Sequence, residues 1–221
     1  MTIQEHYERA LLTSPRPVIL EIGAAHGEDT EKLVKIASDI AANNGSDYEY
    51  YAVEPDPRNL STIKDKRVNH FIHLIPVAVG DKCTRTTFNQ SGGTNPQFGY
   101  EHTLSGSLKK PTLHLQAHPW CKFDKSVEVR MVTLDTLFDF LSINIADFIW
   151  CDVQGAEDLV IAGGKMALGR TRYLYTEYHS TPLYECAPNA SDIALMLGSH
   201  WKVVQQWQHD VLFENTCYKH Q

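Results

Sequence analysis

The chain has 221 residues, 43% of them hydrophobic, which suits one α/β domain with a full core and requires no second domain. Its net charge is −7 and no block of Lys or Arg accumulates, so the electrostatic footprint of a nucleic-acid partner is missing. Five scattered cysteines (Cys83, Cys121, Cys151, Cys186, Cys217) form no C-x-x-C pair, residues 1–17 carry no signal-peptide core and no run could span a bilayer; these features predict a cytoplasmic protein with reduced thiols, no membrane partner and idle sequons at Asn44, Asn59, Asn89 and Asn189.

Ile3 to Leu12 reads as a short leading helix, which Pro15 and Pro17 terminate. Val18, Ile19, Leu20 and Ile22 then form a strand buried on both faces, and Gly23 and Gly27 give the turn after it a backbone without Cβ atoms in the way. From Glu28 the pattern becomes helical, with Leu33, Val34, Ile36, Ala37, Ile40 and Ala41 on one face. The glycine spacing is Gly-x-x-x-Gly behind Glu21, not the Gly-x-Gly-x-x-Gly of dinucleotide binders. Glu28, Asp29 and Glu31 in the first helical turn would repel a pyrophosphate, whereas a cationic sulfonium tolerates them. S-adenosylmethionine therefore fits better than NAD, with Glu21, Gly23, Ala24, Gly27 and Thr30 around it; a purely structural glycine turn is the alternative.

Asn43 to Ser46 stops the helix, and Tyr48 to Val53 is a second strand ending in Glu54-Pro-Asp-Pro57, after which a helix runs over Asn59 to Lys66. Glu54 follows Gly27 by 27 positions, the range in which such folds place the acid that takes both ribose hydroxyls, with Pro55 beside it. Its other reading is a cap for the next helix. His70 to Val79 is a third strand, and Ala78 and Val79 near its end offer one wall of an adenine slot. Thr84 to Asn89 alternates like a further strand.

Residues 90–126 are rich in Gly and Pro and read as an irregular insertion, a lid over the cofactor that shapes the acceptor pocket. Inside it His114 and His118 stand four apart with Cys121 close behind, a spacing that zinc could use, although no fourth ligand is evident. Trp120 is either a platform for a sugar face or a residue buried under the loop. Val127 to Val132 is extended, and Thr133 to Leu141 is a capped amphipathic helix. The next strand begins at Ala146 and ends at Asp152, which belongs at the carboxyl edge of the sheet beside the first glycine turn and so at the cofactor, followed by Gly155 and a helix from Ala156 to about Met166. Arg172 to Glu177 repeats the pattern and leaves Glu177 and His179 at a strand end. A helix over Asp192 to Leu197 and an antiparallel pair, Trp201 to Trp207 with Val211 to Cys217, close the chain. The predicted fold is α/β of the class I methyltransferase (Rossmann-like) type: a mostly parallel seven-stranded sheet with a C-terminal antiparallel hairpin and helices on both faces.

Four blocks in order resemble the FkbM-type S-adenosylmethionine-dependent methyltransferases. They are Leu20-Glu-Ile-Gly-Ala-Ala-His-Gly27, Val53-Glu-Pro-Asp-Pro57, Ala78-Val-Gly-Asp81, and Thr133-Leu-Asp135 with Asp147-Phe-Ile-Trp-Cys-Asp-Val-Gln-Gly-Ala-Glu157. Ser105 to Leu108 and Tyr175-Thr-Glu177 resemble two shorter family elements, so the match runs from about Val18 to Glu177. Two positions depart from the family pattern: Trp150 stands where Lys is usual, and Gln154 where Glu is usual. The resemblance implies methylation of a hydroxyl oxygen on a carbohydrate or other small-molecule acceptor. In agreement, Asp152-Val-Gln-Gly155 replaces the Asn/Asp-Pro-Pro-aromatic turn of enzymes that methylate base amines.

The rival readings are a catalytically silent S-adenosylmethionine-binding scaffold and a nucleotide-dependent oxidoreductase. For catalysis the candidates are Asp152, Glu177 and His179, which neighbouring strand ends would hold roughly 5–10 Å apart. Either one of them, His179 first, acts as general base, or Asp152 and Glu177 hold a divalent cation (Mg²⁺ or Mn²⁺) that acidifies the acceptor hydroxyl. Oligomeric state is open.

Overall fold

The structure is a computed structural model that describes residues 1–97 and 99–218. A seven-stranded sheet forms its centre. The first half of that sheet is built from β1 (Val18–Ile22), β2 (Glu49–Val53) and β3 (His73–Ile75), and the second from β7 (Ala146–Cys151), β8 (Thr171–Glu177), β9 (Trp201–Gln206) and β10 (Asp210–Asn215). Their order is β3-β2-β1-β7-β8-β10-β9, parallel throughout except for β10, which runs against both β8 and β9. The order turns back at β1 and β7, so the carboxyl ends of these two strands open a crevice where open α/β sheets bind ligands.

The register explains why these strands read as continuous apolar runs. Leu20, Ile22, Val53, Ile149 and Leu174 face one core, which α5 (Leu134–Phe140), α6 (Glu157–Ala162) and α8 (Ala190–Leu197) cover. Ile19, Tyr50, Ala52, Phe148 and Leu212 face the other, under α1 (Ile3–Leu12), α2 (Glu28–Asn44) and α3 (Pro57–Asp65). With both faces covered, hydrophobic residues need not alternate with polar ones. The helix boundaries follow local chemistry: Thr2 and Glu5 make a reciprocal cap on α1, Gly45 ends α2 in the left-handed region, and Asp56 caps α3 ahead of Pro57.

Three readings of the sequence change. The strand expected over His70 to Val79 is split into a 3₁₀ turn at Arg67–Phe71, β3, and a two-residue strand β4 (Ala78–Val79) that belongs to a separate sheet. Pro76 has no N–H to continue the ladder, and the chain leaves the main sheet there. That second sheet has the order β4-β6-β5, where β5 is Thr84–Gly92 and β6 is Lys122–Val132. Both of its long strands reach into the expected insertion, which is left with residues 93–121 and one short helix, α4 (His114–Ala117). The helix expected over Ala156 to Met166 is broken into α6 and α7 (Lys165–Gly169) at Gly163 and Gly164. A Cβ on Gly163 would stand 2.0 Å from the Gly80 carbonyl, so the second sheet packs against this break.

Candidate active site

The turn after β1 and the end of β7 are locked together. Gly23 has φ +94°, and a Cβ there would lie 1.7 Å from the Asp152 carbonyl oxygen. The space that glycine leaves is therefore filled by the β7 strand end as well as facing the crevice. The Asp152 N–H donates to the Ile22 carbonyl at 2.9 Å, which fixes Asp152 beside the turn.

Two adjoining clefts open at this point. The first, about 500 Å³ counted to its mouth, is bounded by Gly23, Glu54, Pro55, Ala78, Val79 and Asp152, each of them expected at the cofactor from the sequence. Apolar side chains Phe88, Leu104 and Leu108 close its far wall. The second is lined by Glu21, Gly23, Ala24, Glu28, Asp29 and Asp152, with Trp150 and Gln154 opposite. Glu28, Asp29 and Asp152 line it together with buried Glu21, and no Lys or Arg does, so the three carboxylates make an environment that favours a cation. The donor set fits S-adenosylmethionine: an apolar slot, an acid at the end of β2, and an acidic cleft for the positively charged end.

Glu54 is 3% exposed and already hydrogen-bonded. One oxygen accepts from the Ala25 N–H at 2.8 Å, and the other from the Asp56 N–H at 2.7 Å and Asn59 Nδ2 at 3.4 Å. Burial pushes its pKa up to about 7, with the two backbone donors acting in the opposite direction. Thus it does not cap α3, whose cap is Asp56. Glu21 is 1% exposed and accepts from the Thr30 hydroxyl at 2.5 Å and the Tyr50 hydroxyl at 2.9 Å; burial raises it to about 8. Thr30 is spent on that bond, and Gly27 caps α2 with φ +76°, so these two line neither cleft.

At the other end, one amide organises the acids. Gln154 Nε2 donates to Asp152 Oδ1 at 2.7 Å and to Glu177 Oε2 at 2.8 Å, while its Oε1 accepts from the Tyr184 hydroxyl at 3.1 Å. Its backbone is left-handed (φ +55°), and its carbonyl accepts from the Ser107 hydroxyl at 2.8 Å. Burial first, and the neighbouring Asp152 carboxylate second, hold the Glu177 pKa well above the usual carboxylate range. His179 Nε2 lies 3.6 Å from Glu177 Oε1, and its ring faces His209 at 5.6 Å; burial, then His209, lower its pKa. The structure thus brings Asp152, Glu177 and His179 together, with only Asp152 in the cleft walls.

Tyr184 and Asn59 carried no signal as site residues in the sequence; Gln154 was marked only as a departure from the family pattern, and Ser107 only as part of the short element Ser105 to Leu108, neither with a role assigned. Among the described residues, no group of three or more His, Cys, Asp and Glu could hold a metal ion. The zinc expectation finds no support: the rings of His114 and His118 are 4.9 Å apart but form no three-ligand group with Cys121 among the described residues, and Cys121 is buried and keeps its thiol proton more tightly for that reason.

A family model described as the methyltransferase FkbM domain matches residues 21–206. The chain belongs to the FkbM methyltransferase family. It is also similar to the 2-O-methyltransferase NoeI of Sinorhizobium fredii (strain NBRC 101917 / NGR234), at 34% identity over 212 residues, covering 94% of this chain and 83% of that protein. Among solved structures it is similar to precorrin-6y C5,15-methyltransferase from Geobacter metallireducens GS-15 (9% identity, TM-score 0.46, 96% of this chain and 88% of that one). A SAM-dependent methyltransferase from Aquifex aeolicus is comparable (11% identity, TM-score 0.46, 95% and 87%). Neither is near enough to add to the family assignment. As an FkbM member the chain is an S-adenosylmethionine-dependent methyltransferase, and the two departures noted in its sequence, Trp150 and Gln154, both line the second cleft. No helix among the described residues is long and apolar enough to cross a membrane.

Proposed function

We propose that the protein transfers a methyl group from S-adenosylmethionine to a hydroxyl oxygen of a carbohydrate or other small molecule, and that it works in the cytoplasm, a compartment that suits its five free thiols. The observation that carries the reading is the Asp152–Gln154–Glu177 constellation at the end of an acidic, cation-favouring cleft. Bound there, S-adenosylmethionine supplies an electrophilic methyl group on a sulfonium. Glu54 accepts a ribose hydroxyl, Ala78, Val79 and Pro55 border the base, and the turn at Gly23 and Ala24 supports the methionine portion.

The chain's catalytic contribution is to place the acceptor and remove its proton. Glu177 keeps its own proton at neutral pH, so Asp152, which reaches the cleft, is the group that takes the proton of the hydroxyl. Half-buried His179, beside Glu177, lets the proton leave toward solvent. A divalent cation at Asp152 and Glu177 would have to displace the Gln154 amide, which supports the route without metal. The test is mass spectrometry for one added methyl group across a glycan and small-molecule panel, with and without EDTA and with Mg²⁺ or Mn²⁺ restored. Asp152→Asn should lower kcat by about 10²–10⁴, the usual share of general-base catalysis. Turnover near that of the wild type in this variant, or turnover abolished by EDTA and restored by Mg²⁺, rejects the proposed chemistry.

A further inference from the structure

A third opening adjoins the acceptor end of the site. Asn95, Gln97, His102, His114, His118 and Trp120 wall it, and it shares His102 and Ser105 with the acidic cleft that contains Asp152 and Gln154. Its chemistry differs from that of both clefts. No Lys, Arg, Asp or Glu lines it, and its apolar surface comes from Pro96, the Trp120 indole and the carbon atoms of the polar and imidazole side chains. His102 lies 4.9 Å and His118 5.9 Å from Trp120, both edge to face, and His114 lies 4.9 Å from His118 with the two rings tilted.

His114 is the informative member. It is 3% exposed, and its Nδ1 is buried without a hydrogen-bond partner among the described residues. A folded chain rarely leaves such an atom unsatisfied unless something else completes it. Burial, reinforced by His118, His102 and His179, pushes His114 down to about 4, and burial followed by His118 also lowers His102. At neutral pH both rings are therefore uncharged, each with one donor and one acceptor nitrogen. His102 Nε2 lies 2.8 Å from the Ser105 hydroxyl.

Donors and acceptors around an indole face, with no fixed charge, match a ring that carries several hydroxyls. An anionic sugar finds no cation here. The zinc alternative fails on the absence of a three-ligand group among the described residues. We infer that this pocket is the acceptor subsite, and that it takes a neutral pyranose ring stacked on Trp120 with hydroxyls on His114 and His102. The inference rests on the methyl-transfer reading and deepens it, because the shared wall at His102 and Ser105 lets a ring held there present a neighbouring hydroxyl toward Asp152.

The experiment is saturation-transfer NMR on the full chain saturated with S-adenosylhomocysteine, using the methyl glycosides of glucose, galactose, mannose and xylose as probes, with glucuronate and phenol as contrasts. At least one methyl glycoside should give a clear signal with the wild type and exceed both contrasts. Trp120→Ala and His114→Phe should each weaken that signal by about tenfold, the scale expected for one stacked ring or one buried hydrogen bond. Calorimetry should find S-adenosylhomocysteine affinity in both variants within about twofold of wild type, which shows that the fold and the cofactor clefts are intact. Undiminished glycoside signals in both variants, a preference for phenol or glucuronate, or no glycoside signal with the wild type would each overturn the subsite while leaving the methyltransferase reading in place. Failure of the wild type to bind S-adenosylhomocysteine strikes at that reading itself.

Discussion

Replacing Glu54 with glutamine should weaken S-adenosylhomocysteine binding by about 1.5–3 kcal/mol, the value of one hydrogen bond to a charged group. The magnitude follows from how much of the carboxylate is free. A carboxylate offers about four lone-pair sites, and here Ala25, Asp56 and Asn59 engage three. The oxygen facing Ala25 keeps one site for a ligand hydroxyl, so a single strong bond is available instead of the two that a vicinal diol would seek. Alanine at this position would lose more, because it also strands the Ala25 and Asp56 N–H groups. The raised pKa adds a second signature: burial brings Glu54 to about 7, so the ionised form falls from most of the population at pH 8 to a minority at pH 6. If only that form binds well, wild-type affinity should drop about tenfold from pH 8 to pH 6, and Glu54→Gln should show a weak affinity that hardly changes over the same range. Isothermal calorimetry at pH 6, 7 and 8 reads both effects. Equal affinity in the two proteins at pH 8, together with a flat wild-type profile, would refute the assignment of Glu54 to the cofactor.

Glu21 is raised to about 8 by burial, so it keeps its proton in the folded protein while the unfolded chain loses it near the ordinary carboxylate pKa; its contribution to stability is complete below that value and is lost as pH rises toward 8. Denaturant unfolding at pH 6 and pH 8 should show Glu21→Gln removing a slope of about 1 kcal/mol per pH unit, and an unchanged slope would mean that the group is not buried as a neutral acid. Gln154→Glu takes the amide donor away from Asp152 and Glu177 and adds a third acid, so kcat should fall by about tenfold or more. Adding Trp150→Lys, which restores the residue the family resemblance leads one to expect there, should recover part of that loss; no coupling in the four-member cycle would show that the two positions act separately. Hydrogen exchange should find the Ser105 and Ser107 amides protected without any ligand, because they donate to the Ser91 hydroxyl and the Asn89 carbonyl. Protection that appears there only with S-adenosylhomocysteine would mean that the segment is a lid ordered by binding.

What the sequence disclosed was local. The β1 turn could be read because a strand, its terminal acid and its glycines are consecutive, and the same holds for Glu54 after β2 and Asp152 after β7. Patterns of period two and 3.6 survive without knowledge of the partner strand. The departure of β4 from the main sheet was not readable in this way, since Ala78 and Val79 are apolar in either location and only their pairing with Met131 and Val132 decides between them. Nor was Gln154 as an organiser. Its two carboxylates come from β7 and β8, Tyr184 from the loop beyond β8, and Ser107 from the segment between β5 and β6, so no stretch of the sequence contains the arrangement.

This division between local and assembled features follows the division of labour in the site. The half proposed for the cofactor depends on main-chain geometry at strand ends: a left-handed glycine whose missing Cβ admits the Asp152 carbonyl, and backbone N–H groups that hold Glu54. Such features tolerate few substitutions, because the fold itself fails when they change. The half proposed for the acceptor is made of side chains carried by the small sheet's connecting segment and the loop after β8, joined through hydroxyls and an amide. His102, His114 and Trp120 can be exchanged there without touching a strand of the main sheet. Specificity in this architecture is accordingly free to vary where the chain between β5 and β6 varies, while the glycine turn and its neighbouring acids stay fixed.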